Sequence, residues 1–103
     1  VEADGLISMK TPVIITDDYT VYLEYFSGNT FIHCDCYRWS KSVKKQLKAD
    51  FDKLVDIHGK PIFAIHELND DKHLRFISMM DFKYHSDFIG DDKQARQLFV
   101  RVK

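Results

Sequence analysis

One arrangement restricts this chain more than any other: a long helical pattern held between two apolar, strand-like runs. The runs are FIHCDCY, residues 31–37, and PIFAIHEL, residues 61–68. Between them, from about Ser40 to Ile57, the residues Val43, Leu47, Phe51, Leu54 and Val55 recur at the spacing of one apolar helix face. Ser40 or Ser42 can cap the start, because a serine oxygen accepts one of the orphan N–H groups there. Gly59 suits the left-handed position that ends a helix, and Pro61 follows it. PIFAIHEL is almost continuously apolar, which predicts a strand buried on both faces. A strand, a long helix and a second strand make a βαβ unit with the strands parallel.

The flanks extend the sheet. Pro12 to Thr16 is a short β-rich run, and Asp17-Asp18 makes a turn. Tyr19 to Phe26 alternates, with Val21, Leu23 and Tyr25 on one face and Tyr22, Glu24 and Phe26 on the other. Ser27-Gly28-Asn29 is turn chemistry, and Thr30 to Tyr37 follows as a third strand. After PIFAIHEL, Asn69, Asp70 and Asp71 offer caps for a shorter helix whose expected buried side is Leu74, Phe76, Ile77 and Met80. Phe82–Ile89 and Ala95–Val102 read as a closing hairpin around Gly90-Asp91-Asp92-Lys93. The expected order is β-β-β-α-β-α-β-β: an α/β (α+β) fold, a mixed sheet with helices against it. A single domain over 1–103 is expected, with 1–10 loosely held.

Charge narrows the partners. The formal net charge is -1, and Asp50, Asp52 and Asp56 share the long helix with its lysines. That disfavours a nucleic-acid partner. No apolar run reaches the ~20 residues of a membrane span, so no membrane partner is expected. The start, VEADGLISMK, has no basic region followed by an apolar block, so no secretory leader is expected. Cys34 and Cys36 would point to one side of a strand, where a bridge would be strained; reduced thiols and a cytoplasmic setting follow.

Several groups could carry chemistry. Arg38-Trp39-Ser40-Lys41-Ser42-Val43-Lys44-Lys45 lies where a strand runs into a helix start, a common place to hold a phosphate. Arg38, Lys41, Lys44 and Lys45 add positive charge, and Ser40 and Ser42 can donate hydrogen bonds. The plainer reading is a serine cap with solvated lysines. Asp35, together with His33, and His66 on the neighbouring strand are weak candidates for a general base. His33, Cys34, Cys36 and His66 lack the convergent spacing that zinc requires, so no metal is expected. Tyr22, Phe26 and Trp39 either pack in the core or anchor a protein partner.

The element order resembles the C-terminal two-thirds of the fold of the GNAT superfamily of N-acetyltransferases, over residues 11–103. That family often carries Asn-x-x-Ala-x-x-Phe-Tyr-x-x-x-Gly-Phe before its sixth strand. Asp70 to Phe82 keeps this frame, with Phe76 and Phe82 matching. Asp70 stands for Asn, His73 for Ala, Ile77 for Tyr and Asp81 for Gly. The family's pyrophosphate loop, Arg/Gln-x-x-Gly-x-Gly/Ala, survives only in Arg38. The resemblance implies acetyl-CoA lying where the fourth and fifth strands of the full fold splay apart. It would place the cofactor at Arg38, Ser40, Lys41 and Ser42, and a tyrosine acid at the position of Ile77. Lys41 and Val43 are expected to fill space that glycines leave open, and Ile77 donates no proton.

Shortened versions of this fold occur in bacteriophages. Trp39-Ser40-Lys41-Ser42 before a lysine-rich helix resembles small internal virion proteins of podoviruses. The implied function is a non-catalytic, acetyltransferase-like phage protein. It would act in the host cytoplasm or the virion, by binding a protein or a second copy, as a virion component or an inhibitor of a host defence protein. Arg38, Trp39, Lys41, Lys44, Lys45, Tyr22 and Phe26 would form the contact, with no cofactor. The alternative is an acetyl-CoA-dependent N-acetyltransferase with a divergent loop.

Overall fold

The computed structural model describes residues 9–102. The loose segment expected at 1–10 lies mainly outside them; Lys10 opens the first strand. The strands are β1 (Lys10–Ile15), β2 (Tyr19–Phe26), β3 (Asn29–Cys36), β4 (Ile62–Glu67), β5 (Lys83–Ile89) and β6 (Ala95–Arg101). The helices are α1 (Lys41–His58), between β3 and β4, and α2 (Asp71–Met79), between β4 and β5. All six strands join one sheet in the order β1-β2-β3-β4-β6-β5. Neighbours are antiparallel except β3 and β4, which are parallel.

Helix α1 forms for the reasons its sequence gives. Ser40 caps it, its side chain accepting the N–H of Val43, and Gly59 ends it at φ 70 with its N–H bonded to the Val55 carbonyl. Val43, Leu47, Phe51 and Val55 are buried along one stripe. They pack with Tyr19, Val21, Ile62 and Ala64 in the main core. Each buried valine, leucine, isoleucine or phenylalanine side chain among them contributes about 1.5–3 kcal/mol. Asp70 caps α2 by accepting the N–H of His73, and Ile77 is its one buried residue. Met80, just beyond its end, is buried as well. Leu74, expected inside, is 36% exposed, because α2 touches the sheet along a narrow strip.

The register shows that both helices cover the same side. Val21 pairs with Cys34, Thr30 with Ile62 and Ala64 with Phe99, so the side chains of this set share one face. That face carries the core residues Tyr19, Val21, Ile62, Ala64 and Phe99. The opposite face carries Tyr22, Phe31, Phe63, Ile65, Leu98 and Val100, and neither helix lies on it. This corrects the expectation for β4, which is buried on one face only. Ile62, Ala64 and His66 are buried, whereas Ile65 is 41% exposed. The continuous apolar run thus supplies a core side and a side that, among the described residues, no helix covers. Tyr25 is also more exposed than its alternation suggests; it lies toward the end of α1, with its ring 6.3 Å from that of His58.

Candidate functional site

Strands β3 and β4 pair at only two positions, Thr30 with Ile62 and Phe31 with Phe63. Beyond these they diverge, and the gap opens into a cleft of about 1110 Å³. Its walls include Cys34 and Asp35 of β3, Lys44 of α1, and His73 and Phe76 of α2. Trp39 also lines it, and its ring centroid lies 6.4 Å from that of Phe76. The loop before α1 and the helix α2 therefore meet across one end of the cleft.

At the start of α1 the plainer of the two readings describes the geometry. Ser40 Oγ accepts the Val43 N–H at 3.2 Å and lies 3.0 Å from Ser42 Oγ. The helix supplies no partner for the amides of Lys41 and Ser42. Val43 does not fill phosphate space, contrary to expectation. It opens the buried stripe of α1 and turns into the core, 7% exposed. The serine cap takes the Val43 amide, and Lys41 is exposed. Arg38 is turned away, pairing with Asp18 at 3.1 Å, while the Asp18 carbonyl accepts the amides of Tyr37 and Arg38. Lys44 lines the cleft, and Lys45 is exposed outside it.

The candidate contact residues do not form one surface. Tyr22 and Phe26 lie on the uncovered sheet face. Phe26 pairs with Asn29, at the end of β2 remote from the Tyr19–Cys36 pair that leads into the α1 loop. At ~3.3 Å per residue, Phe26 and the helix start are separated by roughly 23 Å along the strand.

Asp35 and His66 do not meet. Asp35 sits opposite Thr20 on the uncovered face, and His66 points to the helical face, 2% exposed. Their strands are neighbours, but the register places the side chains on opposite sides. Asp35 instead faces Tyr22. The Tyr22 hydroxyl is held above its ordinary pKa, by desolvation first and then by its bond to Asp35. Tyr37 closes the group through a 2.9 Å bond to Thr20 Oγ1. His33 pairs with Glu24 at 2.6 Å.

Sequence reasoning missed the partner of His66. Its Nδ1 lies 3.1 Å from Nδ1 of His73, the residue that stands for alanine in the family frame. The available signal was a strand-end histidine followed by a histidine in the first turn of the next helix. Burial first, then the neighbouring His66, holds the His73 pKa below the ordinary histidine value.

Cys34 and Cys36 are free thiols on the helical face. Burial, with Cys36 beside it, pushes Cys34 up to about 12, and burial also raises Cys36. Neither thiol is poised as a nucleophile at neutral pH. Among the described residues, no group of three or more His, Cys, Asp or Glu is placed to hold a metal ion. No described helix is long and apolar enough to cross a membrane.

No family model matches the chain, and neither a curated protein nor a solved structure matches it.

Proposed function

We propose that this chain is a non-catalytic, acetyltransferase-like domain that binds another protein through its uncovered sheet face. The observation that carries this reading is the placement of both helices on one side. The other side carries Ile65 exposed, with Tyr22, Phe31, Phe63, Leu98 and Val100 half-buried around it. A contiguous apolar area of this kind, rimmed by polar groups, is the usual mark of a protein contact. Lys10, Glu24, Arg96 and Glu67 lie on the same face by register, so its charges are of both signs. That mixture suits a protein better than a nucleic acid. A bacteriophage setting, as a virion component or an inhibitor of a host protein, belongs to this proposal through the sequence resemblance.

The acetyltransferase-like description is supported by the strand order and by the short pairing of β3 with β4. A splayed strand pair beside a helix start is what the resemblance calls for. The chemistry is not: the cap takes the Val43 amide, Ile77 is buried and aliphatic, and both cysteines are held as thiols.

The test is capture from the native host with the wild-type chain, the I65K variant and the I57K variant. Ile57 is 84% exposed on α1 and serves as a control for added charge. A stoichiometric protein that is lost with I65K and kept with I57K supports the proposal. Equal capture by all three contradicts it. The cleft itself favours the second reading, an acetyl-CoA-dependent transferase. That reading requires ~2.7 kcal/mol of stabilisation at a hundredfold excess of cofactor over its Kd, seen as a raised melting temperature.

A further inference from the structure

The contact between His66 and His73 is an in-line hydrogen bond rather than a face-to-face stack. Their ring planes differ by 9°, with centroids 5.3 Å apart. That separation is the 3.1 Å Nδ1–Nδ1 distance plus about one ring radius at each end. The rings therefore lie side by side, with both Nδ1 atoms facing. Only one proton fits between them: one nitrogen donates and the other accepts. His66 is almost fully buried and is wedged edge-on against Phe99 at 5.7 Å.

The position of this bond gives it mechanical consequence. The C-terminal end of α2 is held firmly. Lys48 Nζ donates to the Met79 carbonyl at 3.2 Å and pairs with Asp81, and Arg101 Nη1 donates to the Met80 carbonyl at 3.0 Å. The N-terminal end has less. A turn bonds Asp70 N–H to the Glu67 carbonyl, and no residue of the first turn is buried. The side-chain link from that turn to β4 is His73 on His66.

We propose that the His66–His73 pair is a proton-sensitive clasp that fixes the first turn of α2 to β4 and so sets the width of the cleft. One added proton can be carried on an Nε2 with the bridge intact. A second leaves two N–H donors facing each other, and the bridge breaks. The groups around it are known. Glu67 and Asp70 carry negative charge toward His73 and favour its protonation. Arg96 of β6 offsets Glu67 by pairing with it at 2.7 Å. Gln97 of β6 lies opposite His66 and is neutral, with Asp87 of β5 beyond it. Lys72 of α2, Lys44 of α1 and Asp35 of β3 line the same cleft. The clasp does not rest on the binding proposed for the uncovered face, although Phe31 and Ile65 of that face line the same cleft.

Because the closed state binds fewer protons than an open one, the clasp is strongest above the ordinary histidine pKa of about 6.5 and is lost as pH falls below it. Each proton taken up on opening multiplies the opening constant by up to about tenfold per pH unit. Hydrogen exchange of the Leu74–Ile77 amides, corrected for intrinsic chemistry, reads this directly. In the wild type, protection of these amides is expected to fall about tenfold between pH 6.5 and 5.5, while β2 amides hold. In H73Q, which keeps a polar partner but does not titrate, the pH dependence should vanish. Flat protection in the wild type, or the same slope in H73Q, overturns the clasp. Should H73Q not fold, the ring nitrogen-15 titration of the wild type decides. Two coupled steps support the clasp; two independent, ordinary titrations overturn it.

Discussion

Adjacent residues on β4 should respond very unequally to replacement by lysine. Ala64 faces α1 and is 1% exposed; Ile65 faces away and is 41% exposed. In I65K about three-fifths of an isoleucine's burial is at stake. Full burial contributes about 1.5–3 kcal/mol, so the loss is about 1–2 kcal/mol. The lysine stem can still lie along Leu98, its cross-strand partner, with the ammonium in water. In A64K the same side chain is forced into the packed interface with α1. An unpaired buried charge and overpacking together cost about 4 kcal/mol or more. Against a total stability of roughly 5–15 kcal/mol, I65K should fold and A64K should be largely unfolded or close to it. Urea and thermal denaturation followed by far-ultraviolet circular dichroism measure both. I65K should lower the melting temperature by roughly 4–15 °C, at 4–8 °C per kcal/mol. If I65K unfolds the chain as thoroughly as A64K, that face is covered within the molecule and the reasoning fails.

Other expectations follow from single contacts. S40A removes the cap on α1 and should cost about 1 kcal/mol, read as a lower urea midpoint; an unchanged midpoint would mean that the Val43 amide finds another acceptor. Cys34, held as a thiol up to about 12, should react with iodoacetamide at pH 8 far more slowly than the exposed Cys36, with rates read by mass spectrometry. Equal rates would contradict its burial. Asp92 is held down to about 2 by its bond to Arg96, at 2.6 Å, and then by the Gln94 amide. A lowered carboxyl contributes stability above its unfolded value, and that contribution fades as pH falls toward 2. Carboxyl carbon-13 titration should therefore place Asp92 below the ordinary aspartate range, and R96Q should raise it toward that range, with the Gln94 amide still holding it down.

Much of this fold is written locally. The stripe from Val43 to Val55, the serine before it and the glycine after it mark α1 without tertiary information. The alternation in Tyr19–Phe26 marks β2 in the same way. What the sequence conceals is which side of a strand is covered. PIFAIHEL looks the same whether one face or two meet a helix, because an apolar residue is written the same way on a face that packs on a helix and on one that does not. The same limit hid the sites. Asp35 and His66 looked close because their strands are neighbours, but a one-position difference in register puts them on opposite faces. His66 and His73 meet only because the turn at 68–70 folds α2 back over β4. Val43 was assigned to the phosphate space from loop spacing, whereas the helix phase decides that it points inward.

Binding through the sheet face opposite the helices is the central proposal for this protein. Photo-crosslinking tests it directly, with a benzophenone side chain placed at Ile65 or, as a control, at Ile57, in the native host. One dominant protein adduct is expected from position 65, its mass shared by adducts from neighbouring positions on that face, and none from position 57. Adducts that form equally from both positions, or from position 57 alone, would contradict it.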